Sequence, residues 1–185
     1  DLLKIIDITY DAGHSVYIST NGYKLGEDIE FAKQLREHSR KGKMRIHMDF
    51  SCGLDEDLAE ICHADRTSIV KKLNMLENCT EVGLGRISVS MILTRGVNEH
   101  RMEDLFTIAD RYPKVIRNIV YRSQGNIGRY IKDADGNDLE PYKTNEWLNL
   151  MLEKGLTTRA DISNVIMAGF MSEKCKGKNC CFHYA

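Results

Sequence analysis

No stretch of this sequence approaches the ~20 consecutive apolar residues that a membrane-crossing helix requires, and no charged-then-apolar leader opens it. A cytoplasmic protein with no membrane span is the expectation. Charge of one sign is not in excess either. The 26 basic residues are balanced by 27 acidic ones, so no overall field draws nucleic acid or an anionic membrane surface. Internal repeats and low-complexity tracts are also missing. What is present is 185 residues with 42% hydrophobic content, enough to bury one good core with a small appendage but hardly two full domains.

Apolar periodicity alternates between helix and strand. An amphipathic helix opens the chain, with Leu2, Leu3, Ile5, Ile6 and Ile8 expected on its inner side and Gly13 as its stop. The strand Val16 to Ser19 follows, then a helix from Glu27 to His38 with Phe31 and Leu35 at helical spacing. Strand Met44 to Phe50 precedes helical faces carrying Leu58, Ile61, Ile69, Leu73 and Leu76. Gly83 and Gly85 break that run before strand Arg86 to Leu93. A helix over Arg101 to Arg111 ends at Pro113, and Val115 to Tyr121 makes a fourth strand. This rhythm reads as successive right-handed βαβ units with parallel strands.

Each apolar run closes in a polar cluster: Ser19-Thr20-Asn21-Gly22, Asp49 to Gly53, Thr94 to Asn98, and Ser123 to Arg129. In α/β sheets ligands sit at the carboxyl ends of parallel strands, where backbone groups leave the sheet unpaired and loops vary freely. A small-molecule site on that rim is therefore expected. Beyond Arg129 the rhythm fails. Asp133 to Asp138 is turn chemistry; its acidic spacing imitates a calcium loop, but Tyr142 stands where the bidentate glutamate should be. Helices over Asn145 to Lys154 and Thr158 to Phe170 precede a cysteine-rich tail.

Four parallel strands cannot close a barrel, which takes ~8, so the strand at Val16 has an open edge unless something upstream pairs with it. The sequence begins at Asp1, directly in a helix, and a segment of a longer chain is the expectation. The order of Ser19-Thr20-Asn21-Gly22, a short strand ending in Asp and Ser, Arg66 on the next helix, Gly96-Val97-Asn98 after a hydrophobic strand, and Gly125 to Arg129 resembles the radical S-adenosylmethionine enzymes. The resemblance covers roughly residues 1 to 130 and enters the family's partial (β/α) barrel at its second helix. It implies an α/β fold of parallel strands with outer helices, truncated at its N-terminus, and a separate helical extension with a Cys-rich tail over residues 131 to 185. The family's Cys-x3-Cys-x2-Cys signature and its Gly-Gly-Glu segment are absent from the sequence and would lie upstream of Asp1.

The resemblance implies that an iron-sulfur cluster (4Fe-4S) and S-adenosylmethionine together generate a 5'-deoxyadenosyl radical that abstracts hydrogen from an unidentified substrate. Such enzymes take electrons from a flavodoxin or ferredoxin. By position, Thr20 and Asn21 would hydrogen-bond the cofactor's ribose or methionyl end, as would Asp49 and Ser51. Here Asp49-Phe50-Ser51 replaces the family's Ser-x-Asp order, which leaves open which side chain faces the cofactor. Asn98 would lie near the adenine. Arg122 and Arg129 flank a Gly-rich turn and are candidates to receive an anionic or polar substrate. Local alternatives compete: Asn21 as a turn residue, Asp49 and Asn98 as helix caps. His47 and His63 read as strand-surface and helix-surface residues.

Of the six cysteines, Cys62 and Cys79 fit buried small hydrophobes, and Cys52 lies in the presumed site loop as a candidate reactive thiol. Cys175, Cys180 and Cys181, followed by His183, can converge on one metal. The tail resembles segments that bind an auxiliary iron-sulfur cluster in some subfamilies; zinc and a plain solvated tail are the alternatives. Two other functions stay open: a non-catalytic α/β nucleotide- or partner-binding domain with a metal-stapled tail, and an ordinary barrel enzyme with Arg122 and Arg129 as a phosphate clamp.

Overall fold

The computed structural model describes residues 1–125 and 131–155; the side chains of 144, 145 and 147 are also outside what it describes. Its centre is a four-stranded, wholly parallel sheet in the order β1 (Val16–Thr20), β2 (Met44–Asp49), β3 (Ile87–Leu93), β4 (Ile116–Ser123). Sequence order and spatial order coincide. Because crossovers between parallel strands are right-handed, an unreversed order places successive helices on one side of the sheet, as in a barrel and unlike a doubly wound fold. The α/β expectation with parallel strands and outer helices therefore holds.

The helices are α1 (Leu2–Asp11), α2 (Tyr23–Glu27), α3 (Ile29–His38), α4 (Glu56–His63), α5 (Ser68–Val82), α6 (Asp104–Arg111) and α7 (Thr144–Glu153), with a 3-10 turn at Glu99–Arg101. The helix expected over Glu27 to His38 is α3, and a short separate helix, α2, precedes it. Asp28 adopts an extended conformation between them, and its carboxylate accepts the Phe31 amide to start α3. Asp55 caps α4 in the same way, accepting from the Asp57 and Leu58 amides. Gly83, at φ 71°, ends α5 in the left-handed region that glycine enters without strain.

Period-two alternation gives the sheet two unlike faces. Met44, Ile46 and Met48 are buried, the last two in register with Ile87 and Val89; Met91 and Leu93 continue that face. They form one core with Ile6 and Tyr10 of α1, Leu35 of α3, Met75 and Leu76 of α5, and Leu105 and Ile108 of α6. Each such side chain withdrawn from water contributes roughly 1.5–3 kcal/mol. Met151 of α7 joins this core, and Tyr142 packs against it, so the segment after β4 rests on the same body. The expected turn at Asp133 to Asp138 is present, with Asp133 accepting the Asp135 and Asn137 amides and Lys132 bridged to Asp138. The helix expected over Thr158 to Phe170 lies outside the described residues.

One expectation fails at α1. Ile6 and Tyr10 face the core, but Leu2, Ile5 and Ile8 are 40%, 58% and 59% exposed. The helix meets β1 and α3 along one stripe only, and among the described residues no strand pairs with the outer edge of β1. A shallow groove lined by Leu2, Ile5, Thr9, Val16 and Ile18 runs along that edge.

The two kinds of α1 isoleucine separate in stability measurements on this chain. Ile6→Ala should cost about 2–5 kcal/mol by urea denaturation, through lost burial and a residual cavity. Ile5→Ser should stay within about 0.5 kcal/mol, as expected of an exposed position. Equal losses would show that the outer face of α1 is covered in solution.

Candidate functional site at the carboxyl ends of the strands

The second sheet face carries the chemistry. Side chains in register across it are Tyr17, Ser19, Arg45, His47, Asp49, Ser88, Ser90, Ile92, Asn118, Val120 and Arg122, of which only Ile92 and Val120 are aliphatic. Tyr17 stacks on His47 with ring centroids 5.9 Å apart, and Asn118 donates to the Ser88 hydroxyl at 3.2 Å. His47 is half-buried, and its Nε2 has no hydrogen-bond partner among the described residues. Burial and the nearby Arg122 guanidinium hold its pKa below the ordinary imidazole value. Parallel sheets usually read as continuous apolar strands because helices cover both faces. Here the polar face is buried at Ser88 and Ser90 of β3, half-buried along β2 and exposed at Tyr17, Ser19 and Arg122.

At the rim, Thr20 and Asn21 form the turn that leaves β1. Thr20 Oγ1 accepts the Gly22 amide at 3.0 Å, and Asn21 Oδ1 accepts the Tyr23 amide at 3.2 Å. Gly22 has φ 82°, and a Cβ there would meet Met75 Sδ at 2.5 Å and Met48 Sδ at 2.8 Å. The turn therefore demands glycine on two counts. The local-turn role of Asn21 is thus real, and its exposed amide nitrogen points no further constraint at the backbone.

Asp49 and Ser51 act as one unit. Ser51 donates its hydroxyl proton to Asp49 Oδ1 at 2.6 Å, its amide reaches Oδ2 at 3.1 Å, and its oxygen accepts the Ile92 amide at 2.9 Å. Ser51 is buried, whereas the Asp49 side chain keeps a third of its surface exposed. Of the two, the carboxylate faces outward. Asp49 is not the cap of the following helix, since Asp55 has that position.

Asn98 is fully buried and has all its polar groups engaged. Its Oδ1 accepts the Thr94 amide at 2.8 Å, and its Nδ2 donates to the carbonyls of Ser51 at 2.7 Å and Ile92 at 2.8 Å. It ties the loop after β3 to the loop after β2 and makes no side-chain cap. Thr94 continues the tie to Gln124 at 3.0 Å, and Gln124 donates to the Ile131 carbonyl. Arg95 lies over the Tyr142 ring at 4.2 Å and pairs with Glu146 at 2.9 Å, while Glu99 accepts from Gly96 and Tyr142. Burial and Glu99 push the Tyr142 hydroxyl up to about 12. Arg122 is exposed on the polar face beside this corner. Arg129, Cys175, Cys180 and Cys181 lie outside the described residues, as does His183.

Two histidines and a lysine carry more than the sequence suggests. His63 closes α4 and turns inward: its side chain is 16% exposed, with Nε2 3.4 Å from Asp49 Oδ2 and 2.8 Å from Lys72 Nζ. It is not a helix-surface residue. Burial, then the Lys72 charge, lowers its pKa. Lys72 itself is 2% exposed, and burial lowers its pKa against the opposing pull of Asp49. The α5 pattern gave one signal: Lys72 occupies the inward stripe, three residues after Ile69 and four before Leu76.

The thiols here are inert. Cys52 is buried and its pKa is raised by burial, which removes it as a reactive nucleophile. Burial pushes Cys62 and Cys79 up to about 12. Among the described residues no three His, Cys, Asp or Glu side chains are grouped to hold a metal ion, and no helix is long and apolar enough to cross a membrane. These residues do not supply the ligands of an iron-sulfur cluster. The Asp49 carboxylate, a third exposed and accepting from Ser51 at each oxygen, keeps acceptor capacity of the kind a ribose hydroxyl would use.

Two measurements check this assembly. Asn98→Ala strands one amide and two carbonyls in the interior, so a loss of about 3 kcal/mol or more and a melting point several degrees lower should follow. His47 and His63 both have folded pKa values below the unfolded ~6.5. Between the folded and unfolded values the unfolded chain binds more protons, so stability should rise with pH on the acid side of ~6.5 and level off above it. His63→Gln should flatten part of that slope in thermal melts. An unaltered slope would show that His63 titrates alike in both states.

Comparison with known proteins gives a distant relation. No model of a known protein family matches the sequence. The chain is 28% identical over 130 residues to the 7,8-dihydro-6-hydroxymethylpterin dimethyltransferase of Methanocaldococcus jannaschii, an alignment covering 70% of this chain. It spans 24% of that enzyme's length, so the chain corresponds to about a quarter of its relative.

Proposed function

We propose that this chain is part of a radical S-adenosylmethionine enzyme and supplies a cofactor-binding rim, with the radical cluster's cysteines on sequence outside residues 1–185. The observation that carries the reading is the outward carboxylate of Asp49 at the end of β2, buttressed by Ser51 and flanked by the Thr20-Asn21-Gly22 turn. A relation to a dimethyltransferase agrees with a cofactor whose sulfonium carries a methyl group. The unreversed strand order supports a partial barrel, in which the polar sheet face would line the lumen.

In this reading Asp49 accepts hydrogen bonds from the ribose hydroxyls, and Asn21 and Thr20 contact the ribose or methionyl end. Ser51 and Asn98 serve the site from behind by fixing the loops, Asn98 on the side expected to receive the adenine. When bound with its cluster, the cofactor supplies a 5'-deoxyadenosyl radical. Arg122, on the polar face, is placed to hold an anionic part of the substrate, with Arg129 as its proposed companion. Cys175, Cys180 and Cys181 are proposed ligands of an auxiliary iron-sulfur cluster or zinc.

Binding of S-adenosylhomocysteine to this chain, measured by calorimetry, tests the rim. The isosteric Asp49→Asn should weaken binding about tenfold, the worth of a charge-assisted hydrogen bond, and the exposed Asn21→Ala about threefold, a neutral bond being roughly half as strong, with melting points little changed. Unchanged affinity would overturn the assignment. Reductive assay of the chain after iron-sulfur reconstitution should release no 5'-deoxyadenosine.

A further inference from the structure

Behind the rim, three elements bring one side chain each to a single nitrogen. His63 at the end of α4 presents Nε2 to Lys72 Nζ of α5 at 2.8 Å and to Asp49 Oδ2 of β2 at 3.4 Å. We propose that Lys72 and His63 are positioning residues for Asp49: the imidazole holds the buried ammonium by its Nε2, and the ammonium's charge draws the nearby carboxylate into place at the rim so that its remaining lone pairs meet the vicinal hydroxyls of a bound nucleoside. This deepens the cofactor reading and rests on it.

The geometry selects one protonation pattern. An imidazole nitrogen cannot at once accept from an ammonium and donate to a carboxylate. The shorter contact is to Lys72, so Nε2 accepts and the ring proton sits on Nδ1. His63 is then neutral, in accord with its lowered pKa, whose causes are burial and the Lys72 charge, with Asp49 and Asp65 opposing. The positive charge of Lys72 then acts on the negative charge of Asp49 through space, both groups lying against the same His63 nitrogen.

The surroundings leave few other targets for that charge. Cys52 and Cys62 border it with thiols whose pKa values are raised, and the Phe50 ring lies 5.5 Å from Nζ. Asp65 is engaged by Lys71 at 2.9 Å and by Thr67. A buried lysine hydrogen-bonded to a neutral ring is costly, and a methionine would fill the same space more cheaply. What the lysine adds is a fixed charge next to a carboxylate that Ser51 alone would hold.

Nitrogen-detected NMR of His63 in this chain, together with S-adenosylhomocysteine affinity, provides the test. His63 should be a neutral Nδ1–H tautomer near pH 6.5, and Lys72→Met should raise its titration toward the ordinary ~6.5. Lys72→Met and His63→Leu should each weaken binding about tenfold. His63→Gln, whose amide oxygen can accept from Lys72 as Nε2 does, should keep most of the affinity that His63→Leu loses. Wild-type affinity should decline in alkaline solution as Lys72 loses its proton, and this decline should be absent in Lys72→Met.

A His63 that titrates as a free imidazole in the unaltered chain overturns the network. His63 behaving as expected, with both apolar variants binding at wild-type affinity, overturns the positioning role while leaving the cofactor reading intact. If the unaltered chain does not bind the probe, the cofactor reading fails, and the positioning role with it. Should Lys72→Met not fold, the wild-type tautomer and the pair of His63 variants decide the matter.

Discussion

A parallel sheet whose strands alternate polar and apolar residues has one face suited to a helix-covered core and one suited to polar partners, and this asymmetry organises the molecule. On β2, Met44, Ile46 and Met48 are buried while Arg45, His47 and Asp49 are half-buried on the other side. Right-handed crossovers in an unreversed strand order send α3, α4, α5 and α6 to the side that needs covering. A doubly wound order would have put helices over Arg45 and His47 and left their polar groups without water. Strand alternation and strand order thus point to the same architecture, and local pattern agreeing with topology is what a foldable sequence requires.

Where the strands end, the loops are joined to one another as well as to the sheet. Asn98 bonds the loops after β2 and β3, Ser51 bonds Asp49 and β3, and Thr94 reaches Gln124 beyond β4. These groups are buried, so each missing partner would expose an unsatisfied donor or acceptor in a low-dielectric setting. Satisfied, they hold the rim in one arrangement before any ligand arrives. That preorganisation lowers the ordering cost of binding. The residues with the most hydrogen bonds are therefore supports, and the half-exposed Asp49 carboxylate is the group left facing outward.

Strand positions were legible because the apolar runs end in Gly, Asn, Ser and Asp, whose preferences for turns and caps are local. The polar sheet face was equally present in the sequence, as Arg45-x-His47-x-Asp49 and Ser88-x-Ser90. It was obscured by treating Met44 to Phe50 as one apolar run rather than two interleaved faces. Asn98 was legible as a rim residue but not as a tie, because its partners Ser51 and Ile92 lie 47 and 6 residues away and only the fold joins them. Lys72 and His63 are nine residues apart on different helices, and the turn between α4 and α5, with Ala64 in the left-handed region, decides that they meet. No periodicity encodes that turn.

The exposed isoleucines of α1 and the open edge of β1 express one geometric fact. Leu2 and Ile5 flank the groove beside Val16 and Ile18, so the apolar side of the helix lies beside the β1 edge, along which no strand pairs among the described residues. Edges of that kind are usually shortened, charged or covered, because they template association with another strand. Here β1 offers five residues without a charge among them, so neither of the usual electrostatic or steric protections operates. A strand laid parallel along that edge would satisfy the β1 backbone and place its own apolar residues under Leu2 and Ile5, extending the helix-covered face by one row. It would also extend the polar face beside Ser19, next to the Thr20-Asn21-Gly22 turn, so completion of the sheet and completion of the site would occur at the same strand end.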